Sequence, residues 1–355
     1  NEVKTLLLER YYSAQLAESA LYWAAIKGML RHVSPPKIPE QGRIWTEAEY
    51  QLVLQGLSGK RTSIGIHSRF NRGDASLTVT AVTQGSPADG VLEVHDRIMR
   101  INGDGMTGMD ASAIDNLLQA PAGESLSLTI VRDIQVFNAT IVSADHNTPI
   151  LEAGILPNNI AYLRIRSITG GIADRVREHL EAWRGKDIDR LVIDLRNNGG
   201  GVFVEGLRLA ELFTPKDAVL LYTVRERDGI KRYISTNSGP FAMHVALLVN
   251  GSTASAAEAM AAALVGNQKA RMVGVGSFGK ATMERTFTLK NEMRVRFIIG
   301  AMYTPQGLTW NERGLSPGLN IVADTKEAQR WLQLPLTQRF AVDRQLRGAW
   351  QLLRE

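Results

Sequence analysis

Between about residues 159 and 325 the chain runs as short β-rich apolar stretches, IAYLRI, RLVIDL, AVLLYTV, HVALLV and RMVGV. Helical stretches such as GGIADRVREHLEAW and GLRLAELF lie between several of them. Each piece must bury one face, and a chain that alternates this way does so by layering helices on a sheet, so the segment predicts an α/β domain. With 355 residues there is more chain than one ordinary core absorbs, which predicts two or three domains.

The flanking segments have other textures. Up to about residue 33, Leu6, Leu7, Leu8, Tyr11, Leu16, Leu21, Ala24, Ile26, Met29 and Leu30 recur at three- and four-residue steps and predict helix. The pattern is more apolar than one helix face needs, which predicts packing against another chain or domain. SPPKIPEQG breaks it, and a short helix is expected over 47–57. From about 58 to 145, TSIGIHSRF, SLTVTAV, DRIMRING and SLSLTIVR read as strands among turns, with DASAIDNLLQ as one helical piece. The tail is charged and helical, with Trp331, Leu332, Leu334 and Trp350. The expected divisions are therefore 1–57, 58–145, 146–325 and 326–355.

Several classes of function lose support. Hydrophobic residues at 44% and charged residues at 22% describe a globular chain. The net charge of +5 is spread without a run of five Lys or Arg, so no nucleic-acid partner is expected. The absence of cysteine rules out disulfides, thiolate catalysis and Cys-ligated zinc. The six histidines (32, 67, 95, 146, 179 and 244) show no metal spacing, so neither metal nor cofactor is expected. No apolar run has membrane-spanning length, so no transmembrane segment is expected in this chain. The first residue is Asn1 rather than Met, which fits a removed secretory leader.

The stretch VGVGSFGKATMER, 273–285, nearly matches two phosphate-binding signatures. A P-loop needs Ser or Thr directly after its lysine, but Ala281 stands there and Thr282 comes one residue late. Both signatures must open a helix, whereas TMERTFTLK reads as strand. A glycine-flanked lysine has another use. Where its surroundings favour the neutral amine, it can deprotonate a serine.

HVALLVNGSTASAAEAMAAAL, 244–264, supplies that serine. A strand ends near Asn250, small residues turn the chain, and an Ala-rich helix begins at about Ser255. Free N–H groups at a helix N-terminus can stabilise an oxyanion beside the hydroxyl. The plainer reading is that Ser255 and Glu258 form a capping box, worth about 1 kcal/mol. RLVIDLRNNGGG, 190–201, adds three glycines whose amides can face a ligand, although such a run also suits a flexible loop.

DLRNNGGG, then STASAAE, then SFGKATME, in that order, resembles the C-terminal processing peptidases, serine peptidases with a Ser/Lys dyad and usually an inserted PDZ domain. ALYWAAIKGMLRHV resembles the helix preceding the PDZ domain in that family. TSIGIHS, GSPADGVLEVHDRIMRINGDGM and LSLTIVR resemble a PDZ domain, and YTPQGLTWNERGLSPGLNI the family's closing segment. The resemblance covers all but the tail after about 325. It implies an α/β, crotonase-like superhelical peptidase core of strands and helices, an inserted β-rich PDZ domain, and helical N- and C-terminal extensions.

It also implies site residues. Ser255 would be the nucleophile and Lys280, 25 positions on, its base, with Ala256 and Gly201 amides as the oxyanion hole. Glu284 stands where the family has a glutamine that orients the lysine, and a carboxylate there would favour the ammonium form. Ser63, Ile64, Gly65 and Ile66 would bind a peptide's terminal carboxylate and backbone. Ile114, Leu117 and Leu118 would meet its apolar side chains or belong to the core. Implied partners are unfolded or C-terminally exposed protein substrates, an adaptor or activator, and further copies of the chain in a homo-oligomer. The implied location is periplasmic or otherwise exported. Two other readings remain open: a catalytically silent PDZ-bearing scaffold, and a crotonase-like enzyme acting on acyl-thioesters.

Overall fold

The computed structural model describes residues 2–12, 16–35, 41–57, 62–71, 73–82, 86–93, 95–109, 114, 117–118, 120–145, 150–186, 188–323, 331 and 334–354. By its contacts the chain divides into two units, 1–53 with 282–300, and 54–281 with 301–355.

The second unit contains the α/β segment. Ile160–Ile165, Arg190–Asp194, His244–Val249 and Ala270–Gly274 lie side by side and parallel. Leu151–Leu156 adds an antiparallel edge, and the two-residue strand Leu319–Asn320 a parallel one. The central strands are mostly apolar and buried on both faces, as parallel sheets require. Ile160, Tyr162, Val192, Ala246, Leu248 and Val273 form one core cluster with Leu346, Ala349 and Leu353. The tail expected only to be helical is thus part of the core, as Leu336–Val342 and Arg344–Leu352. Alternation along the strands puts Leu163, Leu191, Ile193, Val245 and Leu247 on the opposite face, also buried. Helices Ile172–Trp183, Phe203–Glu211 and Ala256–Gly266 follow one another in contact, and the last also packs on Ala270–Gly274.

Within the same unit, Ile66–Asn71, Ser76–Val82, Arg97–Ile101, Ser125–Arg132 and Gln135–Val142 make one antiparallel sheet. Thr62–Ser63 pairs with Ala144–Asp145, bringing together the two ends of the segment expected over 58–145. Most of DASAIDNLLQ lies outside the described residues, but Ile114 is described and buried in this sheet's core.

The first unit holds the helices Glu2–Arg10, Glu18–His32 and Glu47–Leu57, the last running on past residue 53. The first of these has no buried residue and the second buries only Leu30. Sequence order assigns 282–300 to the α/β core. Instead Arg43–Trp45 pairs antiparallel with 294–296, and this pairing draws the segment into the first unit.

Candidate active site

Three turns at the C-terminal ends of parallel strands build the site, the usual position for a ligand in such sheets. After Arg190–Asp194 the chain turns through 195–201; after His244–Val249 it turns into helix Ala256–Gly266; after Ala270–Gly274 it runs into 275–281.

Hydrogen bonds stitch these turns together. Thr253 Oγ1 donates to the Leu195 carbonyl at 2.9 Å, and Asn250 Nδ2 to Asn197 Oδ1 at 2.8 Å. The buried Asn198 holds both sides: its Oδ1 accepts from the Gly200 N–H at 2.9 Å and its carbonyl from the Ala254 N–H at 2.9 Å. The Phe278 N–H donates to the Thr253 carbonyl at 2.9 Å.

Ser255 sits directly before its helix with φ 56° and ψ −119°, a conformation that L-residues other than glycine rarely adopt. Such a backbone costs about 1–3 kcal/mol and persists only where the surroundings over-determine it. Here the preceding N–H is held by Asn198, the Ser255 carbonyl takes the first helical bond from Ala259 at 2.9 Å, and its own N–H is held by Glu258.

Glu258 is fully buried, and its two oxygens accept four hydrogen bonds. Oε1 accepts from Ser277 Oγ at 2.6 Å and the Gly279 N–H at 2.7 Å. Oε2 accepts from the Ser255 N–H and the Lys280 N–H, each at 2.9 Å. One carboxylate oxygen therefore holds the backbone nitrogens of Ser255 and Lys280 within about 6 Å of each other. The capping-box signature shows half of this role; the reach to 277–280 is tertiary and has no local signal.

The lysine turn is backed by 311–315. Ser277 N–H donates to the Leu315 carbonyl, Glu312 N–H to the Gly279 carbonyl, and Ala281 N–H to Asn311 Oδ1. Gly279 has φ 93°, and a Cβ there would stand 2.8 Å from the Gly314 nitrogen. This close approach explains the glycine ahead of the lysine.

The glycine run lies against the serine turn. Gly200 packs against the serine turn so tightly that a Cβ on it would lie 2.9 Å from both the Ala256 nitrogen and Ser255 Cβ. Gly201 bridges to Ile168, whose N–H donates to the Gly200 carbonyl and whose carbonyl accepts from the Val202 N–H. That pattern leaves the Gly201 N–H outside the bridge. Among the described residues, neither it nor the Ala256 N–H, the first of the helix, meets an acceptor. Gly200 is the contact residue that sequence reasoning passed over, although it stands within the same glycine run.

Glu284 belongs to the first unit, where Arg296 Nε stands 3.3 Å from its Oε2 and the Arg296 guanidinium also lies over Trp45. Ser63 to Ile66 link the short strand Thr62–Ser63, paired with Ala144–Asp145, to Ile66–Asn71 of the antiparallel sheet. The Gly65 N–H donates to Ser63 Oγ there at 3.1 Å, and Gly65 itself has φ 85°. Ile64, Ile114 and Leu118 are buried in that domain's core, with Ile66 and Leu117 partly buried against it.

Comparison with known proteins agrees with this arrangement. Residues 159–321 match the profile described as Peptidase family S41, and residues 53–131 that of the PDZ domain. A carboxyl-terminal-processing protease of Synechocystis sp. is 25% identical over 319 residues, covering 88% of this chain and 74% of its own. Carboxyl-terminal-processing peptidase 3, chloroplastic, of Arabidopsis thaliana is 26% identical over 304 residues, covering 81% and 57%. The solved structure of a photosystem II D1 C-terminal processing protease superposes with a TM-score of 0.67 at 21% identity, covering 98% of this chain and 89% of its own. That likeness establishes a shared fold. The peptidase profile spans all three turns, so the region 159–321 belongs to peptidase family S41, with a PDZ domain ahead of it over 53–131.

Proposed function

We propose that the chain is a serine endopeptidase that cleaves proteins near their C-termini, with Ser255 as nucleophile and Lys280 as its general base. The carrying observation is the Glu258 carboxylate, whose one oxygen holds the backbones of both residues beside a strained serine at a helix N-terminus. In this reading the Lys280 amine takes the hydroxyl proton as Ser255 Oγ attacks a peptide carbonyl. The Gly201 and Ala256 N–H groups receive the developing oxyanion. The proton passes to the leaving amine, and water, deprotonated by Lys280, releases the acyl group.

The test is digestion of an unfolded protein by the wild type, Ser255→Ala and Lys280→Ala. Either substitution should lower turnover on the order of 10⁴-fold, as loss of one member of such a catalytic pair does. Near-normal turnover in either variant ends the assignment. A silent scaffold predicts no turnover even in the wild type, and the intact Ser255 and Lys280 favour the peptidase.

The remaining parts of the reading follow from the same likeness. The PDZ domain would recruit a substrate's C-terminus at the 63–66 turn, or gate the active site. The first unit exposes Val3, Leu6, Tyr12, Tyr22 and Met29, which supports a homo-oligomer. An adaptor or activator would be a further partner, and the location periplasmic or otherwise exported. Among the described residues no helix is long and apolar enough to cross a membrane. Glu284 stands in place of the family's glutamine, four positions after Lys280, and its carboxylate lies beside Arg296. Removing that charge in Glu284→Gln should raise kcat/KM near pH 7 by about threefold to tenfold; unchanged or lower activity means that Glu284 orients the lysine as glutamine does.

A further inference from the structure

Buried charge is costly, and the core sheet carries a connected group of it beneath the C-terminal helices. Asp194 is fully buried and Arg196 is 2% exposed. The guanidinium grips Asp194 twice, Nε to Oδ1 at 2.9 Å and NH2 to Oδ2 at 2.6 Å. Its NH2 also lies 2.7 Å from Asp343 Oδ2, and its NH1 donates to Gln345 Oε1 at 3.0 Å. Asp194 in turn accepts from the Tyr162 hydroxyl, which accepts from Arg339 NH1. Burial would raise the Asp194 carboxyl, but the charge and hydrogen bonds of Arg196 hold it well below the usual carboxylate range.

Packing already holds these helices, since Leu346, Ala349 and Leu353 enter the core cluster. An ion pair adds little net stability there, but it fixes direction. The pair with Asp194 is local, two positions apart where the strand Arg190–Asp194 ends, and cannot by itself orient the turn. Asp343 and Gln345 are the external anchors. Arg196 leads into Asn197, at φ 61°, and then Asn198, which holds Gly200 on one side and Ala254 on the other. Two residues therefore separate the anchored guanidinium from both the glycine amides and the serine turn.

We propose that Asp343 and Gln345 are positioning residues for the reaction at Ser255: by locking Arg196 they fix the 195–201 turn that presents Gly200 and Gly201 to the nucleophile. This rests on the peptidase reading. It makes the C-terminal helices part of the catalytic scaffold rather than an appendage.

Asp343→Asn tests it cleanly. Asp343 caps helix Arg344–Leu352 by accepting from the Leu346 N–H at 3.0 Å, and asparagine caps about equally well, so the substitution removes the charge and spares the helix. The wild type, Ser255→Ala, Asp343→Asn, Gln345→Leu and the packing control Leu346→Ala are compared. The measurements are the fraction of Ser255 labelled by a fluorophosphonate, kcat and KM per labelled site, Ki for a peptidyl boronic acid, and Tm. Asp343→Asn should lower kcat about 10- to 100-fold with KM within about twofold, and boronate affinity should fall by the same factor. Gln345→Leu should do the same at about threefold to tenfold. Leu346→Ala should lower Tm and leave kcat per labelled site unchanged.

Wild-type kcat and Ki per labelled site in Asp343→Asn, with only Tm reduced, would overturn the proposal. If that variant does not fold, an unchanged kcat in Gln345→Leu overturns it instead. A wild type that neither labels at Ser255 nor cleaves the peptide overturns the peptidase reading, and this proposal with it.

Discussion

Replacing Glu258 by glutamine probes the centre of the site with the least change of shape. The carboxylate accepts four hydrogen bonds, each worth about 1.5–3 kcal/mol when the acceptor is charged. Glutamine keeps one oxygen and puts an NH2 at the other. With the NH2 at the Oε2 position, two backbone donors, Ser255 and Lys280, lose their acceptor. At the Oε1 position only the Gly279 N–H does. There Ser277 Oγ, which already accepts from the Leu315 N–H at 2.7 Å, has a second lone pair for the amide. The second arrangement is therefore preferred. It leaves one buried N–H unsatisfied, takes the acceptor from the Ser277 O–H, and weakens the bonds to Ser255 and Lys280 from charged to neutral. Relief of burying a charge offsets part of the loss, leaving a net destabilisation of about 2–4 kcal/mol. A displacement of the serine and lysine backbones by a fraction of an ångström should lower kcat per active site about 10- to 100-fold. Glu258→Ala strands all four donors and should cost more on both counts. Denaturant unfolding and kinetics normalised to labelled serine measure the two effects. If Glu258→Gln and Glu258→Ala both keep kcat per site within twofold, the carboxylate does not set the geometry of the pair.

Gly200→Ala would place a methyl 2.7 Å from the Ala254 oxygen and 2.9 Å from the Ala256 nitrogen, at φ 97°. With backbone on every side the serine turn must move, so kcat should fall at least about 100-fold with KM less affected; steady-state kinetics on a peptide substrate would show it. The buried Asp194 gives a signed pH effect. Its carboxyl is lowered in the folded state, so its contribution is complete above the unfolded value near 4 and is lost as pH falls below that. Thermal melts should drop below about pH 4 and, in Asp194→Asn, show a shallower acid limb from a lower plateau. An equally steep acid limb in the variant would contradict this assignment.

The readable parts of this molecule are those with local signals. The strands 160–165, 190–194, 244–249 and 270–274 announce themselves by short, mostly apolar β-rich runs, and helix Ala256–Gly266 by its alanines and the Ser255 and Glu258 pair. The resemblance carried by DLRNNGGG, STASAAE and SFGKATME implies Ser255, Lys280, Gly201 and Ala256 as one site before any coordinate is known. What stays hidden is long-range. Glu258 reaches across to Ser277, Gly279 and Lys280, and Arg196 meets residues near the end of the chain, neither of which any window of sequence reveals. Gln135–Val142 and Gly229–Ile234 are largely exposed along their length and give weak strand patterns. The 282–300 segment pairs with Arg43–Trp45 against the order in which it is written.

The account rests on Ser255 being a nucleophile whose reactivity depends on Lys280. Labelling the folded protein with a fluorophosphonate, followed by peptide mapping by mass spectrometry, tests this directly. The account predicts one adduct, on Ser255, formed by the wild type and slowed at least about 1,000-fold in Lys280→Ala. An adduct on another residue, or one on Ser255 that forms as fast without the lysine, would contradict it.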